Sequence, residues 1–233
     1  MQAIGRILVI DDDKEFLSYM SQFLGQAGYT VHVAESGTQG LRRTFEERPD
    51  LILLDVMMPG MDGFEACARI REITDIPVVM LTSRQMDEDI VRGLEVGADD
   101  YITKSTNPDI IRARINAVIR RAKMPPAGGE QAIVYKDEWL HIDIPRHLIE
   151  VQGKRLALSA TEFNLLALLV KHSGDVLSFE QILTNVWGPE YKDEVAYVRV
   201  YISHLRQKIE PDPSNPTYIL TERQVGYRFI VPR

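Results

Sequence analysis

Between Arg6 and Arg121 five short apolar runs alternate with five segments of helical periodicity, and this alternation restricts the fold more than any other feature of the chain. The runs are Ile7 to Ile10, Thr30 to Ala34, Leu51 to Leu54, Pro77 to Leu81 and Tyr101 to Thr103. The helical segments are Lys14 to Gln26, Thr38 to Glu47, Gly60 to Glu72, Asp87 to Val96 and Pro108 to Arg121. Strand and helix in strict turn predict βα units, hence an α/β domain with a doubly wound, five-stranded parallel sheet. Leu51 to Leu54 is apolar throughout and bounded by Asp50 and Asp55, which fits a strand buried on both faces. Pro59-Gly60 just beyond it forces a loop. About 120 residues suffice for one compact unit.

In open α/β sheets ligands bind beyond the carboxyl ends of the strands. That edge is expected to collect Asp11-Asp12-Asp13 from strand one, Asp55 from strand three, Thr82-Ser83 from strand four and Thr103-Lys104 from strand five. Taken alone, Asp55 reads equally well as a turn aspartate. Three consecutive carboxylates repel one another, and a hard cation is the usual reason for keeping them together. Mg²⁺, held by one or two carboxylates with waters and a phosphate completing its octahedron, suits such a shallow site. A phosphoryl group on Asp55 would be neutralised there by the metal, by Lys104 and by the Thr82 hydroxyl.

Lys123 to Gln131, KMPPAGGEQ, has two prolines, two glycines and no apolar periodicity, and reads as a linker dividing residues 1–122 from 132–233. Residues 1–122 hold 14 Lys+Arg against 20 Asp+Glu, and the remainder 13 against 14. The second part is not basic, so any affinity for DNA must come from a local surface. Short alternating stretches around Ile133 to Tyr135, Leu140 to Ile142, Leu148 to Val151 and Leu156 to Leu158 predict a small antiparallel sheet. Helices follow over Thr161 to His172, Phe179 to Trp187 behind a Ser178 cap, and Val195 to Ile209. Tyr218 to Leu220 and Tyr227 to Val231, joined through Gly226, predict a closing hairpin. In the third helix Val198, Ile202, Leu205 and Ile209 form one core stripe. At roughly 100° per residue the opposite face carries Val200, Ser203, His204 and Gln207, with Arg199 and Arg206 on one flank and Tyr197, Tyr201 and Lys208 on the other. No acidic residue interrupts from Ala196 to Lys208, and such a face can enter the major groove of double-stranded DNA. The single cysteine, Cys67, excludes an intramolecular disulfide. No apolar run approaches the roughly 18 residues of a membrane span, and the first residues lack a secretory pattern, so a cytoplasmic location without membrane attachment is expected.

Four motifs in order, DDD at 11, LLDVMMPGMDG at 53, VVMLTSR at 78 and GADDYITK at 97, make residues 6–121 resemble the receiver domain of bacterial two-component response regulators, a flavodoxin/CheY-like fold. The resemblance implies that Asp55 accepts phosphate from a sensor histidine kinase. It further implies that Asp12, Asp55 and the main-chain carbonyl of Met57 hold Mg²⁺, with Asp11 binding through water. Thr82 and Lys104 would contact the phosphoryl oxygens, and Tyr101 would turn inward as Thr82 is drawn to them. Family members usually follow the lysine with Pro-Phe, the proline in cis, whereas Ser105-Thr106 stand here. A cis bond before a non-proline residue costs about 2.5–4 kcal/mol, so a trans loop with Lys104 displaced is expected. On the face through which this subfamily dimerises, Asp100 and Arg114 match one charge pair, and Ile90 and Ile110 replace a second. These isoleucines either bury across a two-fold or face their own core.

ALSATEFNLLALL at 157, VLSFEQILTNVWG at 176, ISHLRQKIE at 202 and TERQVGYRF at 221 make residues 132–231 resemble the α+β winged-helix output domain of the OmpR/PhoB class. By that resemblance the helix at 195–209 reads DNA through Arg199, Val200, Ser203, His204, Arg206, Gln207 and Lys208, while Thr221 and Arg223 of the wing reach the backbone or minor groove. His204 stands where many members carry arginine, and Gln224 replaces the first wing glycine, which is expected to strain the turn. VRVYISHLRQKIEPDPSNP at 198 is similar to regulators of potassium-transport (Kdp) operons. The expected function is a phosphorylation-dependent transcriptional regulator that dimerises on activation and works with RNA polymerase. An enzyme acting through a phosphoaspartate would want a second acid or base beside Asp55, and Val56 to Gly60 supply none. Ser105-Thr106 keep open a constitutive DNA-binding regulator with an atypical receiver.

Overall fold

Successive side chains of a strand point to opposite faces, so a fully apolar run must meet a core on each side. In the computed structural model, which describes residues 4–83, 87–123 and 134–231, three strands do this. They are β1 (Arg6–Ile10), β3 (Leu51–Asp55) and β4 (Val78–Thr82). Their even-numbered residues Leu8, Ile10, Ile52, Leu54, Val78 and Met80 enter one core. The odd-numbered Ile7, Val9, Leu51, Leu53, Val79 and Leu81 enter the other. With β2 (Thr30–Ala34) and β5 (Asp100–Thr103) they form a wholly parallel sheet in the order β2-β1-β3-β4-β5. The helices are α1 (Lys14–Gln26), α2 (Gly37–Glu47), α3 (Gly63–Arg71), α4 (Asp87–Glu95) and α5 (Pro108–Lys123). The order reverses between β1 and β3, which opens a crevice at their carboxyl ends. Chain packing divides the protein into two units, Met1–Arg120 and Arg121–Arg233, and residues 124–131 of the expected linker lie outside the described residues.

Helix α3 begins three residues later than its periodicity suggests. Asp62 caps it by accepting the Glu65 N–H at 2.8 Å, and Gly60 before it has φ +82. Midway along this helix Cys67 is fully buried, and burial pushes its thiol up to about 12. At neutral pH roughly one molecule in 10⁵ would carry the reactive thiolate. Maleimide labelling of the native protein is therefore expected to proceed only through opening of the first unit; stoichiometric labelling within minutes in buffer would contradict this burial.

The second unit opens with a four-stranded antiparallel sheet of β6 (Val134–Lys136), β7 (Leu140–Asp143), β8 (Leu148–Val151) and β9 (Lys154–Arg155). The expected strand at Leu156 to Leu158 is not formed. Leu156 N–H still bonds Ile149 O at 2.8 Å, but Ser159 and Glu162 then make a reciprocal capping box that lifts the chain into α6 (Ala160–Lys171). A second box, Ser178 with Gln181, starts α7 (Phe179–Val186), and α8 (Val195–Ile209) follows. Leu177–Ser178 forms an unanticipated strand, β10, which pairs with β12 (Gly226–Phe229), itself paired with β11 (Ile219–Glu222). The hairpin turn is at 223–225 rather than at Gly226. Gly226 lies inside β12, where a Cβ would come within 1.9 Å of the Leu177 carbonyl oxygen. No helix among the described residues is long and apolar enough to cross a membrane.

Candidate functional site

The crevice gathers carboxylates from two strand ends and an ammonium from a third. Asp11 follows β1 and Asp55 closes β3; both are almost wholly buried, while Asp12 is exposed beside them. One ligand oxygen from each of the three lies within 4.8 Å of the others. Lys104, just after β5, places Nζ 2.7 Å from Asp11 Oδ2 and 3.2 Å from Asp55 Oδ1. Its ammonium lies over the face of Phe16, with Nζ 4.8 Å from the ring centroid. Thr82, at the end of β4, is fully buried, and its carbonyl accepts the Lys104 N–H at 2.6 Å.

Burial raises Asp55 above the ordinary carboxylate range, against the opposing pull of Lys104 and of the Met57 and Val56 N–H groups. Burial likewise raises Asp11, opposed by Lys104 and the Asp13 N–H and assisted by Asp55. For Lys104 burial is the largest influence and would lower it, but the two carboxylates together outweigh burial and raise it. Three carboxylates against one ammonium leave two negative charges in a partly dehydrated site. That surplus, with oxygen ligands alone, is the environment a small divalent cation fits.

In the second unit α8 is buried along a wider stripe than its spacing suggests. Tyr197 and Tyr201 stack edge-on against Trp187 at 6.1 and 5.3 Å, and Val200 is buried with them. Arg199, Ser203 and Gln207 remain exposed and His204 half-exposed. Arg206 turns toward the hairpin instead. Its Nη2 donates to Ile219 O at 2.6 Å and to Thr221 Oγ1 at 2.8 Å, and its guanidinium lies 5.5 Å from the Tyr227 ring centroid. Lys208 is held by Glu162 Oε2 at 2.7 Å. At the hairpin tip Arg223 is exposed and Gln224 adopts φ +64, the left-handed conformation that costs a side-chain-bearing residue about 1 kcal/mol or more.

Residues 7–116 match the family described as the response regulator receiver domain, and residues 153–229 match the transcriptional regulatory protein C-terminal domain. Among solved structures the chain is similar to DrrB of Thermotoga maritima, an OmpR/PhoB homolog, at 35% identity over 99% of this chain and 100% of that one, with a TM-score of 0.51. The chain belongs to the OmpR/PhoB class of response regulators. A cysteine-to-aspartate mutant of RitR is similar at 30% identity over 96% and 98% of the two chains, with a TM-score of 0.71. A cysteine-to-serine mutant of RitR is similar at 28% over 97% and 98%, with a TM-score of 0.69. This response regulator thus combines a parallel-sheet receiver with a winged-helix domain that binds DNA to regulate transcription.

Two placements in the regulator, those of Lys104 and Val200, differ from the sequence expectation. The peptide bonds of the described residues are all trans, yet Lys104 is not displaced. Val200 does not lie on the exposed face but is buried, as are Tyr197 and Tyr201 of the same helix. Asp100 is fully buried and pairs with Arg114 of its own chain at 3.2 Å. Ile90 packs on the receiver core, whereas Ile110 is 49% exposed. Tyr101 is buried beside Met80 in that core. The Met57 N–H reaches Asp55, and its side chain is exposed.

Sequence reasoning missed three contributors. Asp13, read as part of an acidic triplet, caps α1 by accepting the Glu15 and Phe16 N–H groups at 2.9 and 3.2 Å; its place just before a periodic segment was the available signal. Phe16 carried no signal beyond its helical phase. Glu210, an acid at the C-terminal end of α8 where the helix dipole disfavours one, accepts backbone N–H groups from Thr217, Tyr218 and Ile219.

Proposed function

We propose that Asp55 is the phosphoacceptor of this regulator and that its phosphorylation by a sensor histidine kinase controls DNA binding. The observation that carries this reading is Lys104 Nζ at 2.7 and 3.2 Å from buried carboxylates on the ends of β1 and β3, at the reversal of strand order. An Asp55 carboxylate oxygen attacks phosphorus of the kinase phosphohistidine, the O–P bond forms, the P–N bond breaks, and the imidazole leaves with the bonding pair and takes a proton. Lys104 then meets a phosphoryl oxygen in place of the carboxylate charge, and the Thr82 hydroxyl moves toward another. Tyr101, packed beside Met80, reports that movement to the face formed by α4, β5 and α5. Asp12, Asp55 and the Met57 main-chain carbonyl would hold Mg²⁺, with Asp11 reaching it through water. When bound it supplies the positive charge that offsets the phosphoryl oxygens.

The receiver spans 1–122 and the output domain 132–233, with the linker at 123–131 beginning on Lys123, the last residue of α5. Phosphorylation shifts the receiver toward a homodimer through the face bearing Ile110, with Asp100 and Arg114 keeping its backbone fixed from within. Two winged helices then engage double-stranded DNA, Arg199, Ser203, His204 and Gln207 facing the major groove and Arg223 the wing contact, in a cytoplasmic complex that recruits RNA polymerase. Arg206 and Thr221, bonded to each other, hold the wing to the recognition helix rather than reading bases. The regulated operon is left open; a potassium-transport operon is the candidate from the 198–216 segment.

Light scattering and DNA binding of wild type and Asp55→Asn, each with and without beryllofluoride and Mg²⁺, test the reading. Wild type alone is expected to pass from monomer to dimer and gain DNA affinity. A wild type indifferent to the mimic would leave the constitutive regulator as the better account.

A further inference from the structure

Lys104 carries its charge on a flexible four-carbon stem, so its aim depends on how firmly its backbone is held. On the N-terminal side the hold is the sheet: Thr103 pairs with Thr82, and the Lys104 N–H closes the ladder on the Thr82 carbonyl at 2.6 Å. On the C-terminal side the chain leaves the sheet at once, and Asn107 caps the start of α5 by accepting the Asp109 N–H at 2.8 Å. Between these anchors Thr106 makes two bonds back to Thr103. Its N–H donates to the Thr103 carbonyl at 2.9 Å, and the two hydroxyl oxygens lie 2.8 Å apart. The backbone bond alone closes a turn but leaves φ and ψ of the intervening residues some freedom; a parallel side-chain bond restricts it. Ser105 adds a contact from its hydroxyl to Thr103 Oγ1 at only 3.4 Å, and its side chain is exposed.

We propose that the Thr103–Thr106 hydroxyl pair is the positioning device for Lys104, clamping the turn that aims its ammonium between Asp11 and Asp55. Neither threonine touches the reacting atoms; both act through Lys104. The pair explains how Ser105 follows the lysine without loosening it. The part of this inference that concerns phosphate rests on the phosphoacceptor reading above, but the clamp itself does not.

Thr106→Val keeps shape and removes the hydroxyl; Thr106→Ser restores the hydroxyl and loses only a methyl. Reductive methylation with formaldehyde and a borohydride, read peptide by peptide against the exposed Lys14, measures release of Lys104. Losing one partly buried hydrogen bond shifts such an equilibrium roughly 3- to 10-fold. Thr106→Val is expected to raise Lys104 methylation by that factor and to weaken beryllofluoride binding to the same extent. Thr106→Ser should stay within about twofold of wild type in both. Thermal midpoints, measured alongside, should differ between the two variants by no more than the few degrees that one lost bond accounts for. Unchanged Lys104 labelling in Thr106→Val would overturn the clamp, as would an equal loss in Thr106→Ser. Should wild type fail to bind beryllofluoride, the phosphoacceptor reading falls while the methylation result still decides the clamp.

Discussion

Replacing Gly63 by alanine is expected to destabilise the receiver by about 3 kcal/mol and to abolish beryllofluoride binding. A Cβ on Gly63 would lie 2.2 Å from the Asp55 carbonyl oxygen and 2.7 Å from Val56 Cα, and both obstacles are backbone, so no side chain can rotate away. The Gly63 N–H donates to the Val56 carbonyl at 3.0 Å, so helix α3 and the end of β3 are in direct contact here. The 56–62 loop must move outward to admit the methyl, taking with it the Met57 and Val56 N–H groups that Asp55 accepts. Gly25→Ala is the matched control. It lies in α1 with nothing within 4 Å of the added methyl, and should stabilise by about 0.5–1 kcal/mol through helix propensity. The same chemical change thus has opposite signs at the two sites. Both tryptophans, Trp139 and Trp187, lie in the output domain, whereas Cys67 lies in the receiver. Gly63→Ala should therefore speed Cys67 labelling and leave the denaturant midpoint of tryptophan fluorescence in place. A Gly63→Ala receiver as resistant to labelling as wild type would contradict the close approach.

Much of this was legible in the sequence because strand burial and strand ends are local properties. Leu51 to Leu54 reads as buried on both faces from composition alone, and the alternation of runs fixes which residues share an edge. The acidic site follows from chain order, since Asp11, Asp55 and Lys104 each end or directly follow a strand. What was not legible depends on partners far away in sequence. The periodicity of α8 correctly located Val198, Ile202, Leu205 and Ile209, but the width of a helix's buried stripe is set by what packs on it. Trp187, ten residues before Tyr197, packs on Tyr197 and Tyr201 and widens the stripe to include them. Arg206 was placed from its flank position alone, which carries no signal for its bonds to two acceptors on β11. Ile90 and Ile110 looked equivalent and are not: one closes the receiver core and the other stands half in solvent. The loss of strand at Leu156 to Leu158 is a competition between two local signals, alternation and the Ser159 capping box, which the box won.

Glu210→Ala is expected to cost the output domain about 4 kcal/mol and Glu210→Gln about half as much. Glu210 ends α8 and is buried, with one carboxylate oxygen accepting from Tyr218 N at 3.0 Å and Ile219 N at 2.7 Å, the other from Thr217 N at 2.7 Å. It therefore joins the end of α8 to the start of β11, across a loop of eight residues from Pro211 to Tyr218 that has no regular structure of its own. Truncation to alanine removes the acceptor and leaves these N–H groups without the charge-assisted bonds that satisfy them. Glutamine keeps one acceptor oxygen but turns an amide NH₂ toward donors, so it rescues only part. In a domain of about 100 residues each 1 kcal/mol is worth roughly 4–8 °C, so the alanine variant should melt some 15 °C or more below wild type by tryptophan fluorescence. Because the wing hangs on the same strand through Arg206 and Thr221, DNA affinity at a temperature where both variants are folded should fall in the same order, alanine below glutamine below wild type. Receiver behaviour, read by Cys67 labelling, should be unmoved. If glutamine and wild type melt together, the carboxylate charge is not what holds the loop, and the geometry alone, which glutamine preserves, would have to account for the junction.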